Sequence, residues 1–481
     1  MDEERIEIVS EEPAEIDYTE LELEELSPML LEMFRSRRFA QLKEILSELN
    51  PADIAEMLQD MSDDDDIPDE DFPKAFRILP KDIAADVFVE MSPDMQEVLI
   101  KSFSDKELQD ILDDMFVDDT VDVIEEMPAN VVSRILESVD ASTRSDINRI
   151  LKYPEDSAGS IMTTEYIHLL ADNTVREAFA HIRQAGVESE SIYNCYVTDK
   201  KKLIGIVTVK DLLLHDYDDV ISDFMEENVI SVNTQDDKED VAQMFAKYDF
   251  TALPVVDGDD RLVGIVTIDD AVDVLTEEAT EDIEKMAAIT PSEHPYLRTS
   301  TFETWKQRIP WLLLLMISAT FTGMIITKFE DALAAQVALT AFIPMLMDTG
   351  GNCGSQASVT IIRGLSLGEI EFSDIVKVIW KEIRVAVLCG ATLAVVGFGK
   401  IMLVDRLLMG NTDITPLIAG VVCLTVVVTV VIAKIVGCVL PLVTEKLGFD
   451  PAVMASPFIT TIVDALSLMI YMNFATMLLG I

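Results

Sequence analysis

The charge of this chain changes abruptly near residue 300. Residues 1–300 carry 75 Asp and Glu against 25 Lys and Arg, whereas residues 301–481 carry 13 against 11. A segment with a net charge of −50 is therefore joined to one that is nearly neutral and strongly apolar. One hydrophobic core cannot serve both. The first part must stay hydrated, and the second holds apolar runs long enough to cross a bilayer. A total of −52 over 481 residues excludes attachment to nucleic acid or anionic lipid by bulk electrostatics. At 49% hydrophobic residues the chain is not a disordered acidic polymer either.

Five apolar stretches follow residue 300, at about 310–327, 332–362, 383–404, 414–440 and 451–479. Crossing ~30 Å of hydrocarbon takes roughly 20 helical residues, which predicts five spans in a multi-pass protein of the cell (inner or plasma) membrane. The acidic N-terminus has no basic start and no apolar segment, so residues 1–300 are expected in the cytosol and the C-terminus outside. Lys306, Arg308, Arg363, Lys377, Lys381, Arg384 and Lys446 fall on the predicted inner side. Lys400 and Arg406 do not, and Asp405 and Asp413 balance them.

Two of the apolar stretches carry polar groups that a simple anchor does not need. PMLMDTGGNCGSQ (344–356) places Asp348, Asn352 and four Gly/Ser positions near bilayer depth. It reads as a broken helix lining a permeation path, or as a loop between short re-entrant segments. In SPFITTIVDALSLMIY (456–471), Ser456, Thr460, Asp464, Ser467 and Tyr471 recur at one-turn spacing on one helical face. A carboxylate within a span is expensive and reads as functional by default; the bland alternative is a hydrogen bond between helices. Two such helices on a two-fold axis would bring two Asp464 carboxylates together, enough charge for one divalent cation.

The soluble part contains a repeat. GIVT occurs at 205–208 and at 264–267, and Asp211 and Asp270 follow at the same offset. Each copy reads as Met-headed loop, strand, helix, strand, turn, strand, helix. This resembles a tandem pair of CBS domains. The resemblance places Asp211 where the ribose-binding acid of such pairs lies and implies ATP as a possible ligand, although many CBS pairs bind no nucleotide. Residues 26–150 read as short stacked helices, with the phrases LNPADIAEMLQDM, LPKDIAADVFVEM, FSDKELQDILDDM and MPANVVSRILESV each opening on a helix-start signal. The run at 63–66 reads as an exposed loop.

No catalytic set emerges. His168, His181, His215 and His294 pair with no nucleophile and show no metal-ligand spacing, and no phosphate-binding glycine loop is present. The acids cluster instead, at 118–122, 236–249 and 269–282. Such clusters repel one another unless hard cations lie between them, so domain packing is expected to depend on Mg²⁺ or Ca²⁺.

The order of parts, with PMLMDTGGNCGSQ and SPFITTIVDALSLMIY, resembles the MgtE family of magnesium channels from about residue 26 onward. The resemblance implies an acidic tail (1–25, expected to be disordered), an all-α solenoid N-domain (26–155), α/β CBS domains (156–220 and 221–275), a connecting plug helix (268–300) and a five-helix membrane domain (301–481). It implies a non-enzymatic, Mg²⁺-gated Mg²⁺ channel that acts as a homodimer in the bilayer. The second and fifth spans of both chains would line one pore, with Asp464 on a hydrated ion and Thr460, Ser456, Asp348 and Asn352 nearby. Asp450 would stand at the cytosolic mouth. Regulatory Mg²⁺ ligands would fall on Asp86, Asp118, Asp122, Asp237, Glu239, Asp249, Asp270, Asp273, Glu278, Glu281 and Asp282. Three positions depart from the family's pattern: Asp86 where a Glu is expected, Ser456 where an Asn is expected, and Asp348 where a Gly can occur. The residues leave two other classes open, a membrane-tethered CBS sensor that conducts nothing and an ion-coupled transporter. The latter would need further intramembrane ionisable residues, for which Asp348 is the one candidate.

Overall fold

Helix-start chemistry organises the N-terminal region. The computed structural model describes residues 23–62, 71–187, 189–292, 296, 299–454 and 456–480. Residues 1–22, the acidic run at 63–66, His294 and the side chain of Ser456 lie outside the described residues. Among those described, ten short helices run from α1 (Leu23–Arg35) to α10 (Ala141–Ile150). The four recurring phrases supply α3 (Pro51–Ser62), α5 (Ala84–Val89), α7 (Asp105–Leu112) and α9 (Ala129–Ser138). Ser104 and Glu107 form a reciprocal capping box at the start of α7, and Asp140 accepts from Thr143 N–H at 2.7 Å to start α10. Each helix buries one apolar stripe, such as Ile54, Leu58 and Met61 on α3 and Leu108 and Leu112 on α7.

The repeat folds as two three-stranded sheets. β1 (Tyr166–Leu170) pairs parallel with β2 (Ser191–Asp199), which pairs antiparallel with β3 (Lys202–Thr208). β4 (Val232–Asn233), β5 (Ala252–Val256) and β6 (Leu262–Thr267) repeat that order. α11 (Val175–Ala185) and α13 (Lys238–Tyr248) are the parallel crossovers, while α12 (Val209–Leu214) and α14 (Ile268–Met286) follow the third strands. The Met-headed segments exchange between copies. Thr163 bridges Ile265 of the second copy, and Glu226 bridges Ile206 of the first. This exchange explains the glycine of each GIVT. A Cβ on Gly205 would lie 2.7 Å from Met225 Sδ, and one on Gly264 would lie 2.6 Å from Met162 Sδ.

The chain divides into two compact units, 1–274 and 275–481, with the division inside α14. In the second unit, α15 (Thr301–Lys328), α16 (Glu330–Ala335), α17 (Ile343–Ser366), α18 (Ile375–Lys400, continued by a π-helical segment to Leu408), α19 (Pro416–Lys446) and α20 (Ser456–Leu479) follow one another. Among the described residues, four segments are long and apolar enough to cross a membrane: Thr301–Lys328, Phe372–Leu408, Pro416–Lys446 and Pro451–Leu479. The expected second span, 332–362, is not one run. It divides into α16, a 3₁₀ segment at Val337–Phe342, and α17.

The expected break at 344–356 is absent: α17 is continuous through Gly350, Gly351 and Gly354. A helix satisfies its own backbone groups, so no polar backbone is exposed. The glycines serve close packing instead. A Cβ on Gly350 would meet Ser467 Oγ and Thr429 Cγ2 at 2.7 and 2.8 Å, and one on Gly354 would meet Ile459 Cγ2 at 2.9 Å. α17, α19 and α20 thereby share a core that includes Leu346, Val422, Val426, Val430, Ile459 and Val463.

Candidate cation sites

The first cluster forms where the N-domain meets the CBS pair within the first unit. α8 (Val117–Glu126) begins at Phe116, which offers no capping side chain. Glu165, just before β1, takes that place by accepting from Val117 N–H at 2.9 Å. This brings Asp118 and Asp119 toward the start of α14. Asp118 is 5% exposed, and burial followed by the negative charges of Asp270, Asp119 and Glu190 holds its carboxyl well above the usual range. Burial, with Asp269 next, pushes Asp119 up to about 6. Asp270 is raised by burial and by Asp269, against the hydrogen bond from Thr267. Burial, then Asp119, Asp269 and Asp270, raises Glu190 to about 8, and its Oε2 is buried without a hydrogen-bond partner. The charges acting on these acids are negative, so each ionisation opposes the next.

Sequence reasoning placed Asp118, Asp119, Asp269 and Asp270 in its acidic clusters but missed Glu165 and Glu190 at this junction. Glu190 lies in a linker before β2 and carries no local pattern that would mark it. Asp86, on α5, acts electrostatically on Asp119. Asp122 is on the exposed side of α8, and Asp273 on α14 is raised by burial and by Asp269. Asp237 caps α13 by accepting from Glu239 N–H at 2.9 Å, and Glu239 accepts from Gln243 at 3.2 Å. Asp249 ends the same helix in the left-handed region at φ 55°. Asp237 and Asp249 therefore stand at opposite ends of α13, roughly 18 Å apart, and do not converge within one chain. Asp211 accepts from Thr208 Oγ1 at 2.6 Å and remains half-exposed.

Mg²⁺ prefers hard oxygen ligands and needs only one or two carboxylates beside its waters. The acids around Asp118 supply that donor type, and the orphaned Glu190 oxygen is open to a donor or a cation. Among the described residues, no three His, Cys, Asp or Glu side chains already form a metal cage.

A second arrangement lies in the second unit. Asp282 on α14 accepts from Ser366 Oγ at 2.7 Å, at the C-terminal end of α17. Burial raises its carboxyl, with the serine opposing. Lys285, one turn on, binds Asp450 Oδ2 at 2.7 Å and also pairs with Glu281. Burial lowers its basicity, but the two carboxylates outweigh that and raise it. Asp450 and Glu281 thus share a cation supplied by the chain itself, which sequence reasoning had not named. Glu278 lies on the same helix.

The third arrangement is intramembrane. Asp464 on α20 is half-buried, and its Oδ1 would lie 3.6 Å from a Cβ on Gly351 of α17. Thr460, one turn earlier, abuts the same glycine and donates its hydroxyl to Pro457 O at 2.9 Å. Asp348, Asn352 and Gln356 form an exposed stripe at one-turn spacing on α17, and Asp348 acts electrostatically on Asp464. The polar face expected along α20 is divided. Ser467 and Tyr471 are fully buried, bonded to Val463 O at 2.6 Å and Leu339 O at 3.0 Å. Only the Thr460–Asp464 half stays accessible. One further charged pair went unnamed in the sequence: Lys434 of α19 binds Glu382 of α18 at 3.1 Å.

Comparison with known proteins decides the family. Residues 343–474 match MgtE, described as a divalent cation transporter; residues 49–156 match the MgtE intracellular N domain; 158–218 and 221–277 match CBS domains. The magnesium transporter MgtE of Thermus thermophilus is 35% identical over 461 residues, 95% of this chain and 99% of that protein. The chain belongs to the MgtE family of magnesium transporters. MgtE of Bacillus subtilis is 33% identical, covering 94% of this chain and 97% of its own length. A solved cytosolic domain of the Mg²⁺ channel MgtE in complex with ATP is 35% identical, covers 52% of this chain and 100% of that one, and superposes with a TM-score of 0.48. MgtE membership accounts for the helical N-domain, the CBS pair and the helical membrane region in one chain.

Proposed function

We propose that this MgtE-family protein is a passive, Mg²⁺-gated channel that brings Mg²⁺ into the cell. The observation that carries the reading is Asp464, a carboxylate within a candidate span, seated on the glycine face of α17 beside the Asp348–Asn352–Gln356 stripe. Mg²⁺ sheds water reluctantly, so it would pass as a hydrated ion that Asp464 and the Thr460 oxygen hold by hydrogen bonds. Two chains about a two-fold axis would supply two Asp464 groups, with five spans each and the N-terminus inside. Inward movement down a negative-inside potential gains about 4.6 kcal/mol per 100 mV for a divalent ion. Ser456 opens the same helix, but its side chain lies outside the described residues.

Gating follows from the acids. When internal Mg²⁺ is high, ions would neutralise the carboxylates around Asp118 and Asp270 and favour a compact, closed form; when it falls, repulsion would favour an open one. Of the two repeat-equivalent acids, Asp211 has Lys210 beside it where Asp270 has Asp269, which supports an anionic nucleotide at the first CBS copy. Loss of ATP binding in Asp211→Asn, measured calorimetrically, checks that part. For the pore, Asp464→Asn is expected to abolish uptake in a strain lacking other magnesium systems. Near-normal growth of that strain at low Mg²⁺ would sink the channel assignment.

A further inference from the structure

A buried ion pair inside a membrane bundle is costly to keep, and such charges face the bundle interior or an ion path. Lys434 lies twelve residues before the end of α19, roughly 18 Å along the helix. Its side chain is 7% exposed, that of Glu382 is 12% exposed, and Lys434 Nζ donates to Glu382 Oε2 at 3.1 Å. The neighbouring turns place the pair behind the pore-lining helix. A Cβ on Gly354 of α17 would meet Ala433 O at 3.4 Å and one on Gly437 would run into Gly354 O, while Lys434 acts electrostatically on Cys353 of α17 and Glu382 on Cys438. Gly354 is one helical turn from Gly351, against which Asp464 and Thr460 rest. Lys381 and Arg384, the other charges of that turn of α18, are on its exposed side.

We infer that Glu382 is a positioning residue for permeation: it cancels the charge of Lys434, which would otherwise repel a divalent cation at the level of Asp464. The ammonium is separated from the ion path by one helix and is mostly buried, so water and salt screen it far less than a surface charge. Paired, the two charges present a small dipole to the pore. Unpaired, Lys434 presents a full positive charge, felt twice over by a divalent ion. This role rests on the reading of Asp464 as a pore residue.

A mere tie between α18 and α19 predicts something different, and the sign of the charge left behind separates the two. Glu382→Gln removes the negative charge but keeps an oxygen that can accept from Lys434, leaving a lone cation, whereas Lys434→Met removes the tie itself and leaves a lone anion. In proteoliposomes loaded with a fluorescent Mg²⁺ indicator, Glu382→Gln is expected to slow Mg²⁺ entry at least ~10-fold. Lys434→Met should stay within ~3-fold of the parent, and the double variant, which is neutral, should recover to within ~3-fold. A neutral replacement of a buried pair is commonly tolerated by the fold. Equal slowing by both single variants, without recovery in the double, would overturn the proposal. If Glu382→Gln does not fold, Lys434→Met is compared with the double variant. Entry in Lys434→Met faster than in the double supports the role, and equal or slower entry overturns it. Asp464→Asn, run beside them, tests the pore reading separately: normal entry there removes the pore, whatever the order of the other variants.

Discussion

Asp211 and Asp270 occupy the same place in the two CBS copies. Each stands three residues after the threonine that ends GIVT, and each accepts from that threonine's hydroxyl, at 2.6 and 2.7 Å. The same threonine-to-aspartate spacing therefore builds the same helix start in both copies. Their surroundings differ. Both are partly exposed, but Asp270 faces the negative charges of Asp269 and Asp119 and in turn acts on Asp118 and Glu190. The cap is a property of four residues, whereas the electrostatic burden on it comes first from Asp269 beside it, where the first copy has Lys210, and then from Asp119 of the N-domain. In our reading that burden is what Mg²⁺ relieves, so only one copy of the repeat responds to the ion.

The largest effect should come from removing the burden outright. In chelator, the combined variant Asp118→Asn, Asp270→Asn, Glu190→Gln is expected to gain on the order of 3 kcal/mol, since like charges at close range cost about that much even when partly screened. Added Mg²⁺ should then no longer raise the melting temperature or protease resistance of the full chain in detergent. A Mg²⁺ response equal to the parent's would show that these acids are not the sensor.

Protonation should imitate the same change more weakly. Burial raises the folded-state pKa of Asp119 to about 6 and of Glu190 to about 8, with Asp118 and Asp270 raised as well. Raised acids bind protons more tightly in the folded state, so their ionisation removes stability as pH climbs from about 4 toward 8. Glu107 runs the other way: the hydrogen bond from Arg77 lowers it to about 2, and its contribution is lost only below that range. Melting in chelator should therefore rise as pH falls from 8 to 5, and the gain from Mg²⁺ should shrink in step. A pH-independent Mg²⁺ effect would separate the ion from these carboxylates.

The smallest effect is the sharpest test of the comparison. Asp270→Asn alone should stabilise the chelated protein by about 1 kcal/mol, because an amide can still accept from the threonine while the charge is gone. Asp211→Asn should stay within about 0.5 kcal/mol of the parent, as expected for an exposed position. Equal shifts in thermal melting would mean that the two sites are electrostatically alike.

The intramembrane elements show the same division between local pattern and distant partner. The spacing of Thr460 and Asp464 is legible because a helix repeats every 3.6 residues, and their accessible half of α20 lies on the glycine face of α17. The continuation through Ser467 and Tyr471 obeys the same spacing but is buried, because α17, α19 and the 3₁₀ segment cover it. The glycines of 344–356 read as a break because glycine weakens isolated helices, whereas packing against neighbouring helices keeps α17 whole.

From the sequence alone follow the properties that depend on neighbours in the chain: the charge division near residue 300, the apolar runs, the GIVT repeat with its capped helices, and the carboxylate within a polar helical face. Tertiary structure alone decided which acids meet and which find a cation. Glu165 reaches an amide 48 residues away, Lys434 finds Glu382 at a separation of 52, and Lys285 joins Asp450 from the far side of the membrane helices in sequence. Charge acts through space and desolvation depends on what covers a group, so neither is written in the local pattern of residues.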